Sequence, residues 1–237
     1  MLNYAVATFC YGERYYTQVN RMLESFSLLE NTPYVFIVTD SPESIQKYDF
    51  THIANINHFN SKYSTYQKNY YEFDFSVKRF SLSFAFQLGY SNVILCDADV
   101  VVNHSKFNHE LVMDTFVENS IGGQVTYNFT DEQLTNSNLG KRLLKYENHF
   151  GVEYDKQKLN SMPEDCIQFI SIPEKKKPNF INVWDECIVV KDTLNLLNVP
   201  AGNIDEMCFS ALYNGMECVN TSDKSINLLV ANHDKWY

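Results

Sequence analysis

Three short apolar runs in the first hundred residues, YAVATFC (4–10), PYVFIVTD (33–40) and NVILCD (92–97), alternate with stretches whose apolar residues recur at helical spacing. Runs this short, flanked by polar residues, suit strands buried on both faces, and a 3.6-residue spacing suits helices with one buried stripe. Parallel neighbours need a crossover, which a helix supplies. The alternation therefore constrains the chain to βαβ units and a largely parallel sheet. The intervening helices are expected over 15–29 and over 75–90, where Gly89 supplies a stop. A third is expected from SPESIQKY (41–48), with Ser41 as N-cap and Pro42 in the first helical position.

Beyond Asp99 the pattern loosens. VVVN (100–103) reads as a short strand and 108–119 as a short helix. GGQVTYNF (122–129) reads as strand and 131–150 as a polar helix. PEKKKPNF (173–180) reads as a basic, proline-bracketed loop, and INVWDECIVVKDT (181–193) as a strand. Residues 202–214 read as a capped helix, and 225–237 as a last strand running into a polar, aromatic tail. No repeat or linker interrupts the chain. The expectation is one domain, 1–237, with a nucleotide-binding half (1–102) and an acceptor-binding half (103–237).

Composition narrows the function. A chain with 45% hydrophobic and 20% charged residues is globular. Its longest apolar runs fall far short of the roughly 20 residues of a membrane-spanning helix, so no transmembrane segment is expected. The start, MLNYAVATFCYGERYY, lacks the basic and apolar regions of a signal peptide. The six cysteines show neither a CxxC pair nor zinc-ligand spacing, which fits a reducing, cytoplasmic setting. A formal net charge of -10 excludes a nonspecific nucleic-acid binder, which needs basic surface. The 16 Tyr and 17 Phe suit core packing first, and a surface for stacking sugar rings second.

The most informative stretch is SNVILCDADVVVNHS (91–105), where Asp97 and Asp99 stand between two apolar runs. Burying unpaired carboxylates is costly, so the pair belongs where a strand ends and solvent or a cation begins. Ligands of open α/β sheets bind at the carboxyl ends of the strands. Residues i and i+2 of an extended segment point the same way, so both acids can converge on one divalent ion, with small Ala98 turned aside. A hard Mg²⁺ or Mn²⁺ accepts few carboxylates and keeps positions for water and phosphate oxygens. His233, 134 positions after Asp99 (233 minus 99), is an acceptable third ligand if the fold brings it near.

In this order the motifs resemble a GT-A glycosyltransferase, most similar to the retaining, family 8-like group that includes glycogenin and the galactosyl- and glucosyltransferases. VATFCYGERYY (6–16) resembles the strand and loop that hold the nucleotide. SVKRFSLSFAFQLGYSNVILCDADVVV (76–102) resembles the basic helix and the metal-binding D-x-D that follows it. FINVWDECIVV (180–190) stands where the family has an Asn-Ser-Gly strand, IDEMCFSALY (204–213) where it has an Asp-Gln helix start, and LLVANHDKWY (228–237) resembles its terminal histidine block. Asn182 or Asp185 and Glu186 replace the Asn-Ser-Gly, and Asp205-Glu206 replaces the Asp-Gln.

The resemblance implies a GT-A fold: a Rossmann-like, mixed, mostly parallel sheet flanked by helices in one domain. It implies metal-dependent transfer of a sugar from a nucleotide-diphosphate sugar, a UDP-sugar first of all, to an acceptor hydroxyl with retention. Asp97, Asp99 and His233 are then the ligands of Mn²⁺ or Mg²⁺, and Ala98 leaves room for the donor. Lys78, Arg79 and Lys235 face the diphosphate, and Thr8, Tyr11 and Asp40 the nucleoside. Asp205 and Glu206 face the donor sugar, and Glu186 is the reserve carboxylate near the anomeric carbon. The acceptor, whether glycan, lipid-linked or protein, is left open, and a homodimer is compatible with the sequence. Two alternatives share the design, a sugar-phosphate nucleotidyltransferase and a noncatalytic carbohydrate-binding protein. The nucleotidyltransferase calls for a Gly-rich, Arg-containing loop after the first strand, and this chain has one Gly and one Arg there.

Overall fold

The computed structural model describes residues 2–58, 78–123, 138–155, 166–192, 204–221, 223 and 228–231. The three leading apolar runs form β1 (Tyr4–Cys10), β2 (Tyr34–Thr39) and, after β3 (Thr51–Asn55), β4 (Asn92–Cys96). They pair in parallel in the order β3-β2-β1-β4. The sheet is completed by β6 (Ser120–Gly123), β7 (Ile167–Ser171) and β8 (Glu217–Asn220), giving seven strands ordered β3-β2-β1-β4-β7-β6-β8. β7 runs against both of its neighbours, β4 and β6; every other pairing in this sheet is parallel. The short β5 (Val100–Val102) leaves this sheet and pairs antiparallel with β9 (Leu229–Ala231) in a separate ribbon.

Helices cover both faces because the central strands are apolar on both. In β1, Ala5 and Ala7 point into one core and Tyr4, Val6 and Cys10 into the other. The first core is closed by α2 (Lys78–Gln87), α4 (Asn138–Phe150), α5 (Lys177–Asp192) and α6 (Ile204–Tyr213). The second is closed by α1 (Glu13–Ser27), α3 (His109–Thr115) and the β5–β9 ribbon. The small side chains of Ala5 and Ala7 let α2 lie close on β1. At the far end, Gly122 is required by space: a Cβ there would stand 2.6 Å from the Thr221 methyl. No helix among the described residues is long and apolar enough to cross a membrane.

Several elements depart from the sequence expectations. Residues 181–193 were expected as strand, but 181–192 belong to α5, and 193 lies outside the described residues. Phe180, Val183, Trp184, Cys187 and Ile188 recur at i, i+3, i+4, i+7 and i+8 and are buried, while Asn182, Glu186 and Val189 are exposed. The basic stretch before it is a single turn, Glu174–Lys176, leading into the helix, and Pro178 is tolerated in the helix's first turn. The helix expected from Ser41 stops after one turn, Pro42–Ser44, because Ile45 returns to extended backbone and the Ser41 hydroxyl bonds the Glu43 and Ser44 side chains. The strand expected over 122–129 is observed over Ser120–Gly123, and residues 124–137 lie outside the described residues.

Candidate functional site at the carboxyl edge of the sheet

Six strands of the main sheet run the same way, so Cys10, Thr39, Asn55, Cys96, Gly123 and Asn220 end at one edge. Asp97 follows β4 there. Its N–H donates to the Cys166 carbonyl at 2.9 Å, extending the β4–β7 ladder by one bond, and its own carbonyl accepts from Val100 N–H at 3.4 Å. Asp97 and Asp99 therefore flank a turn, where an extended segment was expected, and the turn swings the chain out of the sheet into β5. Ala98 at the turn is 5% exposed and packs into the core, while both acids are half-buried at the surface.

The basic residues that open the described part of α2 meet two acids from different elements. Lys78 Nζ pairs with Asp97 Oδ1. Arg79, nearly sealed at 5% exposure, pairs through Nε with Asp185 Oδ1 of α5 at 2.6 Å and lays its guanidinium over the Phe80 ring, 4.1 Å from the centroid. Asp185 is the positioning residue the sequence reading had placed in a strand. Read at helical spacing, it stands on the partly exposed side of α5 beside Asn182 and Glu186. Cys166, facing Asp97 across the ladder, is the second missed neighbour; the other five cysteines are buried.

The loop after β1 is shaped by Asp40. Its Oδ1 accepts from Gly12 N–H at 3.3 Å and from the Thr39 hydroxyl at 3.4 Å, and its carbonyl accepts from Asn55 Nδ2 at 3.4 Å. Gly12, at φ 85°, adopts the left-handed region that glycine enters without a steric penalty. Burial, and then a hydrogen bond to and the charge of Asp40, push the Tyr16 phenol well above its usual pKa. Tyr11 lies half-buried in this loop, at the sheet edge. Thr8 is farther down β1 and fully buried, so its hydroxyl is closed off from that edge.

The remaining carboxylates are dispersed. Glu186 is exposed on α5, with its Oε2 3.5 Å from His149 Nε2. Glu206, 0% exposed, turns inward from α6 to Arg142 Nη1 of α4 at 3.9 Å, a placement that removes its carboxylate from direct reach of a donor at the edge. Asp205 lies in the first turn of α6. His233, Lys235 and the rest of 232–237 lie outside the described residues. Their point of departure is nonetheless fixed: Ala231, the last residue of β9, pairs with Val100, the residue next to Asp99.

Among the described residues no group of three His, Cys, Asp or Glu side chains gathers as a metal cluster. The donor set at the turn is two half-exposed carboxylates, all oxygen, at an open edge. That chemistry fits a hard divalent ion with further ligands from water or phosphate. No protein-family model matches the chain, and no curated protein matches it in sequence. Fold and site together define a mixed α/β protein with a mostly parallel seven-stranded sheet flanked by helices. Its charged side chains gather where the central strand β4 ends.

Proposed function

We propose that this chain is a GT-A-type glycosyltransferase. It moves a sugar from a nucleotide-diphosphate sugar, a UDP-sugar first of all, to an acceptor hydroxyl, with retention as the expected outcome. One observation carries the reading: the D-x-D acids sit on the turn that ends β4, at the edge where open α/β sheets take their ligands, with Lys78 already paired with Asp97. The β5–β9 pairing adds support. Ala231, two positions before His233 in the sequence, pairs with Val100, the residue next to Asp99.

Asp97 and Asp99, joined by His233, would hold Mn²⁺ or Mg²⁺, which when bound supplies Lewis-acid stabilisation of the diphosphate. The protein's own work is electrostatic and positional. Breaking the bond from anomeric carbon to phosphate oxygen builds negative charge on the departing diphosphate, and Lys78 and Lys235 are the cations assigned to meet it. Arg79, clamped by Asp185, fixes the helix that presents Lys78. Asp40 and Gly12 set the loop that offers Tyr11 to the base. The sugar passes through an oxocarbenium-like state, which a nearby carboxylate stabilises, and Asp205 and Glu186 are the candidates for that role. Gly12 N–H is engaged by Asp40, which argues against a phosphate-cradling loop of the nucleotidyltransferase kind.

A thermal-shift screen of nucleotide diphosphates and their sugars tests this. UDP with Mn²⁺ is expected to raise the melting temperature by several degrees, and UDP with EDTA by much less. A ligand at a hundredfold excess over Kd stabilises the native state by about 2.7 kcal/mol. Equal shifts with every nucleotide, or none, would remove the reading.

A further inference from the structure

On the outer side of the molecule, away from the acid pair, α4 and α5 lie side by side, and contacts fix their directions. Arg142–Glu206, Tyr146–Phe209 and Phe150–Tyr213 advance along α4 and α6 together, so these two helices run the same way. Phe180–Ser210 and Asn179–Asn214 advance in opposite senses, so α5 is antiparallel to both. At the surface α4 and α5 are joined by His149 Nε2 and Glu186 Oε2, 3.5 Å apart, and the Glu186 side chain is still 52% exposed. From that pair, four residues back along α4 and three onward along α5 are rises of about 6 and 4.5 Å, which puts Leu144 and Lys145 level with Val189. Leu144 is 55% exposed and Val189 48%. Lys145 is exposed beside Leu144, and Glu186 is exposed one turn from Val189. Each helix thus offers solvent one large apolar side chain, with a cation beside it on α4 and an acid beside it on α5.

We propose that this face binds the same face of a second copy of the chain, across a two-fold axis that runs along the groove between α4 and α5. Such an axis makes a self-complementary contact and lays α4 of one protomer on α5 of the other. Leu144 then covers the partner's Val189, and Lys145 reaches the partner's Glu186 along its flexible four-carbon stem. Every contact occurs twice. An axis across the helices would instead lay Lys145 on the partner's Lys145, a like-charge contact, so the charges select the first arrangement. The selection is needed, because a chain with a formal net charge of -10 repels its own copy at long range. Association then requires a patch where opposite charges meet around an apolar centre.

Analytical ultracentrifugation of the intact chain over a concentration series tests this, with no donor or metal present, so failure here leaves the proposed transfer activity untouched. The wild type is expected as a dimer. Leu144→Asp is expected as a monomer with an unchanged melting temperature, since this side chain is exposed in the protomer. Val189→Asp repeats the test from the other helix if that variant does not fold. Lys145→Glu and Glu186→Lys each set like charges together twice per dimer and are expected to weaken it roughly tenfold or more. Combined in one chain, the two substitutions exchange the charges and restore the dimer. A wild type that stays monomeric throughout the series overturns the second copy as occupant. A dimer left intact by Leu144→Asp and Val189→Asp is built on another face and overturns the proposal, and a charge exchange that restores nothing overturns the two-fold arrangement.

Discussion

Two regions of the molecule hold opposite charges close together, under different physical conditions. Between α4 and α6, Arg142 and Glu206 stand 3.9 Å apart with 3% and 0% exposure. At the carboxyl edge Lys78 and Asp97 keep 17% and 28% of their side chains in solvent. An ion pair sealed from water cannot trade partners without stranding a charge in the core, so it acts as a fixed joint. A pair at an open edge can trade, because water, a cation or a phosphate can replace either member. Glu206 shows the lesson most directly: the residue types near a helix start suggest chemistry, and burial assigns this acid to the framework.

That contrast predicts its largest effect in the interior. Glu206→Ala removes the carboxylate paired with buried Arg142 and is expected to cost about 3–5 kcal/mol in denaturant unfolding. Replacing both residues by methionine should recover most of that. A stable Glu206→Ala protein that has lost only donor binding would return Glu206 to the site and break the comparison.

A smaller effect concerns His109, packed against Tyr4 and Phe107, with Nδ1 2.8 Å from the Tyr4 hydroxyl. Burial lowers its pKa below the usual histidine value, with a backbone hydrogen bond at Asn31 acting in opposition. The unfolded chain therefore takes up this proton first as pH falls. Stability is unaffected well above about pH 6.5 and declines as pH drops through that unfolded value toward the folded one. His109→Gln should flatten this part of the stability–pH curve. An unchanged slope would assign the acid sensitivity to other groups.

How far the sequence could be read differed along the chain for identifiable reasons. β1, β2, β4, α1 and α2 were legible because double-sided burial makes central strands continuously apolar, and surface helices keep a stripe. β3 was missed because THIAN at the sheet's rim is half-buried throughout and carries no clear pattern. α5 was misread because an apolar run packed between helices and sheet looks like strand when its exposed positions, Asn182, Glu186 and Val189, are few. The acid pair of the site was visible as charge between apolar runs. Its turn geometry and the Arg79–Asp185 clamp were not, since both arise from contacts across the fold.

The central claim is that the turn at Asp97–Asp99 binds a nucleotide diphosphate through a divalent ion. Calorimetric titration of UDP into wild type and Asp99→Asn, each with saturating Mn²⁺ and with EDTA, tests it most directly. Wild-type affinity should fall roughly 10–100-fold or more in EDTA, the range lost when even a ligand's supporting partners are removed. Asp99→Asn should show the weak affinity in both buffers while melting no lower than wild type, since it relieves repulsion between two close acids. Equal UDP affinity of the wild type with Mn²⁺ and with EDTA would contradict the account.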